Sequence, residues 1–93
     1  MEERLRELKE IFLQDGIEIV GIFGSVARGE DNEFSDIDIA YKINYEKFFT
    51  KYQDGFSQIL RLNEMKEISE KSLKRRVDFV PFKEDFGEEL VSV

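Results

Sequence analysis

The stretch FGSVARGEDNEFSDIDIAYK, residues 23–42, sets a Gly-Ser pair directly after an apolar run and two aspartates, Asp36 and Asp38, two positions apart a dozen residues later. The run before it, IEIVGIF at 17–23, is β-branched and apolar except for Glu18. Its density predicts a central strand covered on both faces, with Gly24-Ser25 as the exit corner. SVARGE predicts a short helical turn closed by Gly29, Glu30 to Glu33 a polar loop, and residues 35–42 a second strand. Side chains i and i+2 of a strand share a face, so Asp36 and Asp38 point one way while Ile37 and Ile39 point the other.

Outward from this centre, Leu5, Leu8, Ile11 and Phe12 recur at helical spacing and predict an amphipathic helix from Glu2 to about Gln14, ended by Asp15-Gly16. NYEKFFTKYQ predicts a loop with a helical turn. Asp54-Gly55 opens a helix from about Phe56 to Lys71, whose apolar side is Phe56, Ile59, Leu60, Met65 and Ile68. VDFVPF at 77–82 predicts a third strand, with Pro81 at a sheet edge or exit. The acidic tail from Lys83 to Val93 predicts a short helix or disorder. There is no internal repeat, low-complexity tract or linker.

Ninety-three residues that are 41% apolar suffice for one core and leave no room for a second, so residues 1–93 are expected to form a single domain. What it acts on must be small or bring its own binding surface. With no cysteine and no histidine, there is neither a thiolate nor an imidazole for metal binding or proton transfer. Carboxylates must do that work. No apolar run approaches the roughly 20 residues of a membrane span, and MEERLRELKE is too charged for a signal peptide, so the expected location is cytoplasmic. A net charge of −7 opposes direct contact with a nucleic-acid backbone. The basic cluster Lys71, Lys74, Arg75 and Arg76 can grip phosphate or simply complement a helix C-terminus.

Asp36 and Asp38 lie roughly 6 to 7 Å apart at their Cβ atoms if both belong to a strand. Two carboxylates at that distance repel by about 2 to 3 kcal/mol at an effective dielectric of about 20. A bridging divalent cation offsets this, and all-oxygen ligands favour Mg²⁺ or Mn²⁺ over zinc. Asp78 is another carboxylate inside an apolar run. If its strand neighbours the second, Asp36, Asp38 and Asp78 converge and can hold two metal ions for in-line phosphoryl chemistry. A solvent-facing strand edge would explain Asp36-x-Asp38 alone; it does not explain Asp78 and the Gly-Ser corner as well. At that corner, Gly24 lets a ligand approach the backbone, while the Ser25 hydroxyl and nearby N–H groups can hold phosphate oxygens. Arg28, one turn on, can add charge or serve as a surface residue. GSVARGE has the G-x-x-x-x-G frame of a P-loop, but Glu30 stands where that motif requires lysine, so it is not a Walker A sequence.

Gly24-Ser25, ten intervening residues and then Asp36-x-Asp38 resemble the signature of the nucleotidyltransferase superfamily that includes DNA polymerase beta. The fuller string GSVARGEDNEFSDIDIA followed by VDFV is similar to the minimal nucleotidyltransferases, antitoxin partners of HEPN-type toxins. The resemblance runs from about Ile17 to Val80. It implies an α+β fold, a small mixed sheet flanked by helices, with ATP as donor and two Mg²⁺ ions. It makes Asp36 and Asp38 the shared metal ligands, Asp78 the third carboxylate aiding deprotonation of the attacking hydroxyl, and Gly24 and Ser25 the triphosphate clamp. It further implies transfer of AMP to a tyrosine of the toxin in a hetero-oligomer. YEKFFTKYQD is longer than usual for the family, and the tail stops early.

Larger relatives carry an extra domain to seat their acceptor, so a hydroxyl delivered by another protein fits this length better than an antibiotic or tRNA. Two other functions compete: neutralisation of a toxin by binding alone, and nucleotidyl transfer to a small molecule. Three costly acids are not needed for binding alone. Tyr45, Phe48, Phe49 and Tyr52 are the candidate partner anchors, with at least two of them expected in the core.

Overall fold

The computed structural model describes residues 2–24, 27–29, 36–84 and 90–93. Helix α1, Glu2–Leu13, buries Leu5, Leu8 and Phe12. Ile11 is 43% exposed and lies beside this stripe rather than in it. After Phe12 the chain turns through Asp15 and Gly16, whose N–H groups donate to the carbonyls of Phe12 and Leu13 at 3.0 and 3.1 Å. Gly16 takes φ +84, a left-handed turn that favours glycine.

Strand β1, Ile17–Phe23, pairs antiparallel with β2, Ile37–Ile43, and β3, Val77–Pro81, runs parallel to β2. A two-residue β4, Val91–Ser92, pairs antiparallel with β1 and completes the order β3-β2-β1-β4. The end of the tail therefore contributes a strand where the sequence predicts a short helix or disorder, while residues 85–89 lie outside the described residues. Two residues are too few to carry a readable period. β4 depends on Gly21, because a Cβ there would overlap the backbone carbonyl oxygen of Val91.

Helix α2, Tyr45–Lys51, is a full element where the sequence predicts only a turn. Its N-cap is Asn44, whose side chain accepts from the Lys47 N–H at 3.2 Å. Helix α3, Gly55–Leu73, starts at Asp54, which accepts from the Ser57 N–H at 2.6 Å, and closes at Lys74 in the left-handed conformation. Its core side is Met65, Ser69 and Leu73. Phe56, Ile59 and Leu60 are 79%, 63% and 48% exposed, contrary to expectation. The physical reason is helical phase: Phe56 and Met65 are nine residues, about two and a half turns, apart and so face opposite ways.

The core gathers Leu5, Leu8 and Phe12 from α1, Ile17, Ile19 and Ile22 from β1, Ile37 and Ile39 from β2, Val77 from β3, Phe48 from α2, and Met65 and Leu73 from α3. It lies on one face of the sheet. Glu18 is exposed between buried Ile17 and Ile19, so the first half of β1 has one covered face, not two. The register then shifts between Ile19 and Gly21, leaving Val20 as a bulge, so that Ile22 sits opposite Ile39 and Phe23 opposite Asp38. That extra residue keeps Ile22 in the core although it breaks the odd-numbered alternation of Ile17 and Ile19.

Buried Asp15 joins three elements. One carboxylate oxygen accepts from Lys51 Nζ at 2.6 Å and the Tyr52 hydroxyl at 3.1 Å, and the other from Arg61 Nε at 2.8 Å. Burial raises the Asp15 pKa, but the hydrogen bonds from Lys51, Arg61 and Tyr52 outweigh it and hold the carboxyl below its ordinary range.

Candidate functional site

The sheet face turned away from the core carries the acids. In the parallel ladder Ile37 pairs with Val77, Asp38 with Asp78 and Ile39 with Phe79. Because Ile37, Ile39 and Val77 are buried, the alternate residues Asp38 and Asp78 share the opposite face. They stand side by side at the strand spacing of about 4.8 Å. Asp36 lies immediately before β2, two residues from Asp38, and is exposed. The Ile37 N–H donates to the Arg76 carbonyl at 2.9 Å and ties the entries of the two strands together.

Opposite this pair is the end of β1. Phe23 is the register partner of Asp38, and Gly24 follows with φ +79. A Cβ on Gly24 would lie 2.5 Å from Asp38 Oδ2, so the corner and the carboxylate are in direct contact. The Arg28 N–H, in the turn at residues 27–29, donates to the Gly24 carbonyl at 3.1 Å. Arg28 is exposed on that turn, and Gly29 ends it at φ +72. Ser25 lies outside the described residues, as does the whole predicted loop from Glu30 to Glu33.

Asp38 has its pKa raised, first by burial, then by the Asp78 charge, then by Asp36. Asp78 and Asp36 thus both act electrostatically on Asp38. Among the described residues, no three acidic side chains are gathered closely enough to hold a metal ion as a ready-made set. The donors fit Mg²⁺ or Mn²⁺ in kind, being oxygens only, and the mutual repulsion at Asp38 is the cost that a cation would offset.

The remaining candidates lie elsewhere. Lys71 is in the last turn of α3 and Lys74 is its cap, where cations complement the helix dipole. Phe48 is 1% exposed, and Tyr52 is half-buried on Asp15, whereas Tyr45 and Phe49 are 61% and 45% exposed. Two of the four aromatic residues therefore belong to the interior. The exposed pair stands beyond the far end of β2, about 20 Å along the strand from the acids. What the sequence did not reveal is the Gly24–Asp38 contact. The bulge at Val20 sets which residue of β2 faces the corner, and no local signal marks it.

The family model described as polymerase beta, nucleotidyltransferase matches residues 6–91. Protein adenylyltransferase MntA of Thermococcus cleftensis is 36% identical over 75 residues, covering 81% of this chain and 63% of that protein. The chain thus spans less than two thirds of this curated relative. A solved structure assigned as a minimal nucleotidyltransferase is similar at a TM-score of 0.72 and 25% identity, over 99% of this chain and 91% of that one. Among the described residues no helix is long and apolar enough to cross a membrane.

Proposed function

Since the chain belongs to the polymerase beta nucleotidyltransferase family, we propose that residues 1–93 form one domain that transfers AMP from ATP to a tyrosine hydroxyl of a HEPN-type toxin in the cytoplasm. The observation that carries this reading is the register pairing of Asp38 with Asp78 on the open sheet face, beside Asp36 and against the Gly24 corner. The name of the relative from Thermococcus cleftensis, a protein adenylyltransferase, favours a protein acceptor.

In this reading Asp36, Asp38 and Asp78 would hold two Mg²⁺ ions, with Mn²⁺ as a substitute. Bound there, the ions supply charge neutralisation for phosphate oxygens and lower the pKa of a coordinated hydroxyl. Asp78, at the strand next to Asp38, takes the proton of the acceptor hydroxyl. The acceptor oxygen then forms a bond to the α-phosphorus as the bond from that phosphorus to the bridging oxygen breaks, releasing pyrophosphate. Gly24 and Ser25 present N–H groups and a hydroxyl to the triphosphate, and Arg28 adds positive charge on the same turn. The toxin supplies the acceptor and is held by its own contacts, with Tyr45 and Phe49 as exposed anchors on this chain.

The test is mass analysis of a candidate toxin incubated with this protein, ATP and Mg²⁺. The toxin gains AMP with the wild type. With Asp36→Asn combined with Asp38→Asn it still forms the complex but stays unmodified and active. Equal neutralisation by that variant at matched expression would make masking by contact the function instead.

A further inference from the structure

We infer that Gly24 is the positioning residue for Asp38, its bare α-carbon leaving the space in which the Asp38 carboxylate is held. The consequence for metal binding rests on the proposed function; the geometry does not. A Cβ on Gly24 would meet Asp38 Oδ2 at 2.5 Å, while Asp38 Cγ and Cβ would lie at 3.5 and 3.8 Å, ordinary contact distances. The conflict is with the carboxylate oxygen alone. That oxygen ends a side chain that can turn about χ1, so a methyl group at position 24 displaces the carboxylate and leaves the strands in place. The corner cannot back away cheaply either, because the Gly24 carbonyl accepts from the Arg28 N–H at 3.1 Å.

The other glycines set this one apart. At Gly16 and Gly21 the atoms that a Cβ would meet most closely are backbone, Phe48 N and Asn44 O for the first and Val91 O for the second, so the fold itself resists substitution there. Gly29 has φ +72, close to the +79 of Gly24, and among the described residues nothing lies within 4 Å of an added Cβ. Gly29→Ala therefore carries the same left-handed backbone strain with no contact, and the difference between the two alanine variants isolates the contact with Asp38.

Two readouts follow, both without nucleotide. In crystal structures of the variants, the Asp38 carboxylate swings away in Gly24→Ala and stays in Gly29→Ala. By electron paramagnetic resonance, Mn²⁺ affinity falls by about tenfold or more in Gly24→Ala and stays within about twofold of wild type in Gly29→Ala, the scale for a group that orients a metal ligand. An unmoved Asp38 in Gly24→Ala, or equal loss of Mn²⁺ affinity in both variants, overturns the inference. If Asp38 swings but the wild type takes up no Mn²⁺, the positioning stands and the metal reading falls. Should Gly24→Ala be too unstable to crystallise, pairing it with Asp38→Ala removes the obstructing oxygen and recovers the thermal stability lost to the contact, leaving only the backbone strain that Gly29→Ala also carries. Absence of that coupling also overturns the inference.

Discussion

At the residue scale the acids conflict with stability, and the conflict is measurable. Burial, Asp78 and Asp36 together raise the pKa of Asp38. A carboxyl whose folded pKa exceeds its unfolded value has its full stabilising contribution below the unfolded value, and loses it as pH rises through the folded one. Without divalent cation at pH 7, Asp38→Asn therefore melts above the wild type. The advantage vanishes below about pH 4, where the wild-type carboxyl is protonated. Melting curves across pH in EDTA check it, and a lower melting temperature for the variant at pH 7 would contradict it. Asp36, Asp38 and Asp78 were legible in sequence because each is a charge set in an apolar, β-branched run, where alternation assigns it a face. Their neighbours across the sheet were not, since pairing is non-local and a one-residue slip would send Asp78 to the core side.

At the element scale, Asp15 fastens the end of α1 to α2 and α3. Its partners Lys51 and Arg61 are 36 and 46 residues away, so an Asp-Gly dipeptide read as a turn gave no hint of the buried ion pairs. Replacing Asp15 leaves Arg61, whose side chain is 17% exposed, with only its longer contact to the more exposed Glu64 at 3.3 Å. Asp15→Asn should cost about 3 kcal/mol at pH 7. Because the folded pKa of Asp15 is depressed, its contribution is full above the unfolded value near pH 4 and is lost as pH falls through the folded value. Denaturant titrations should show a constant gap to wild type above about pH 4 that narrows only below it. A gap that closes between about pH 8 and about pH 5 would contradict the assignment. α1 was predictable because its helical period is sustained, and β1, β2 and β3 because each is an apolar, β-branched run between turn signals. α3 was predictable in extent but not in orientation, as Phe56 and Leu60 extend its apolar count on the side away from Met65. β4 is too short to announce itself.

At the scale of the whole molecule, the two ends of the sheet have different surfaces. One end carries Asp36, the Asp38–Asp78 pair and Gly24, and the other presents Tyr45 and Phe49 on α2. If the proposed toxin anchors on the aromatic end, it must reach about 20 Å to bring a hydroxyl to the acids. Everything in this arrangement turns on the acidic face acting as a cation-dependent nucleotide site. Calorimetric titration of ATP into the wild type and into the Asp36→Asn, Asp38→Asn variant, each with Mg²⁺ and with EDTA, tests that most directly. The account predicts measurable binding only for the wild type with Mg²⁺; equal ATP affinity for the wild type in EDTA would contradict it.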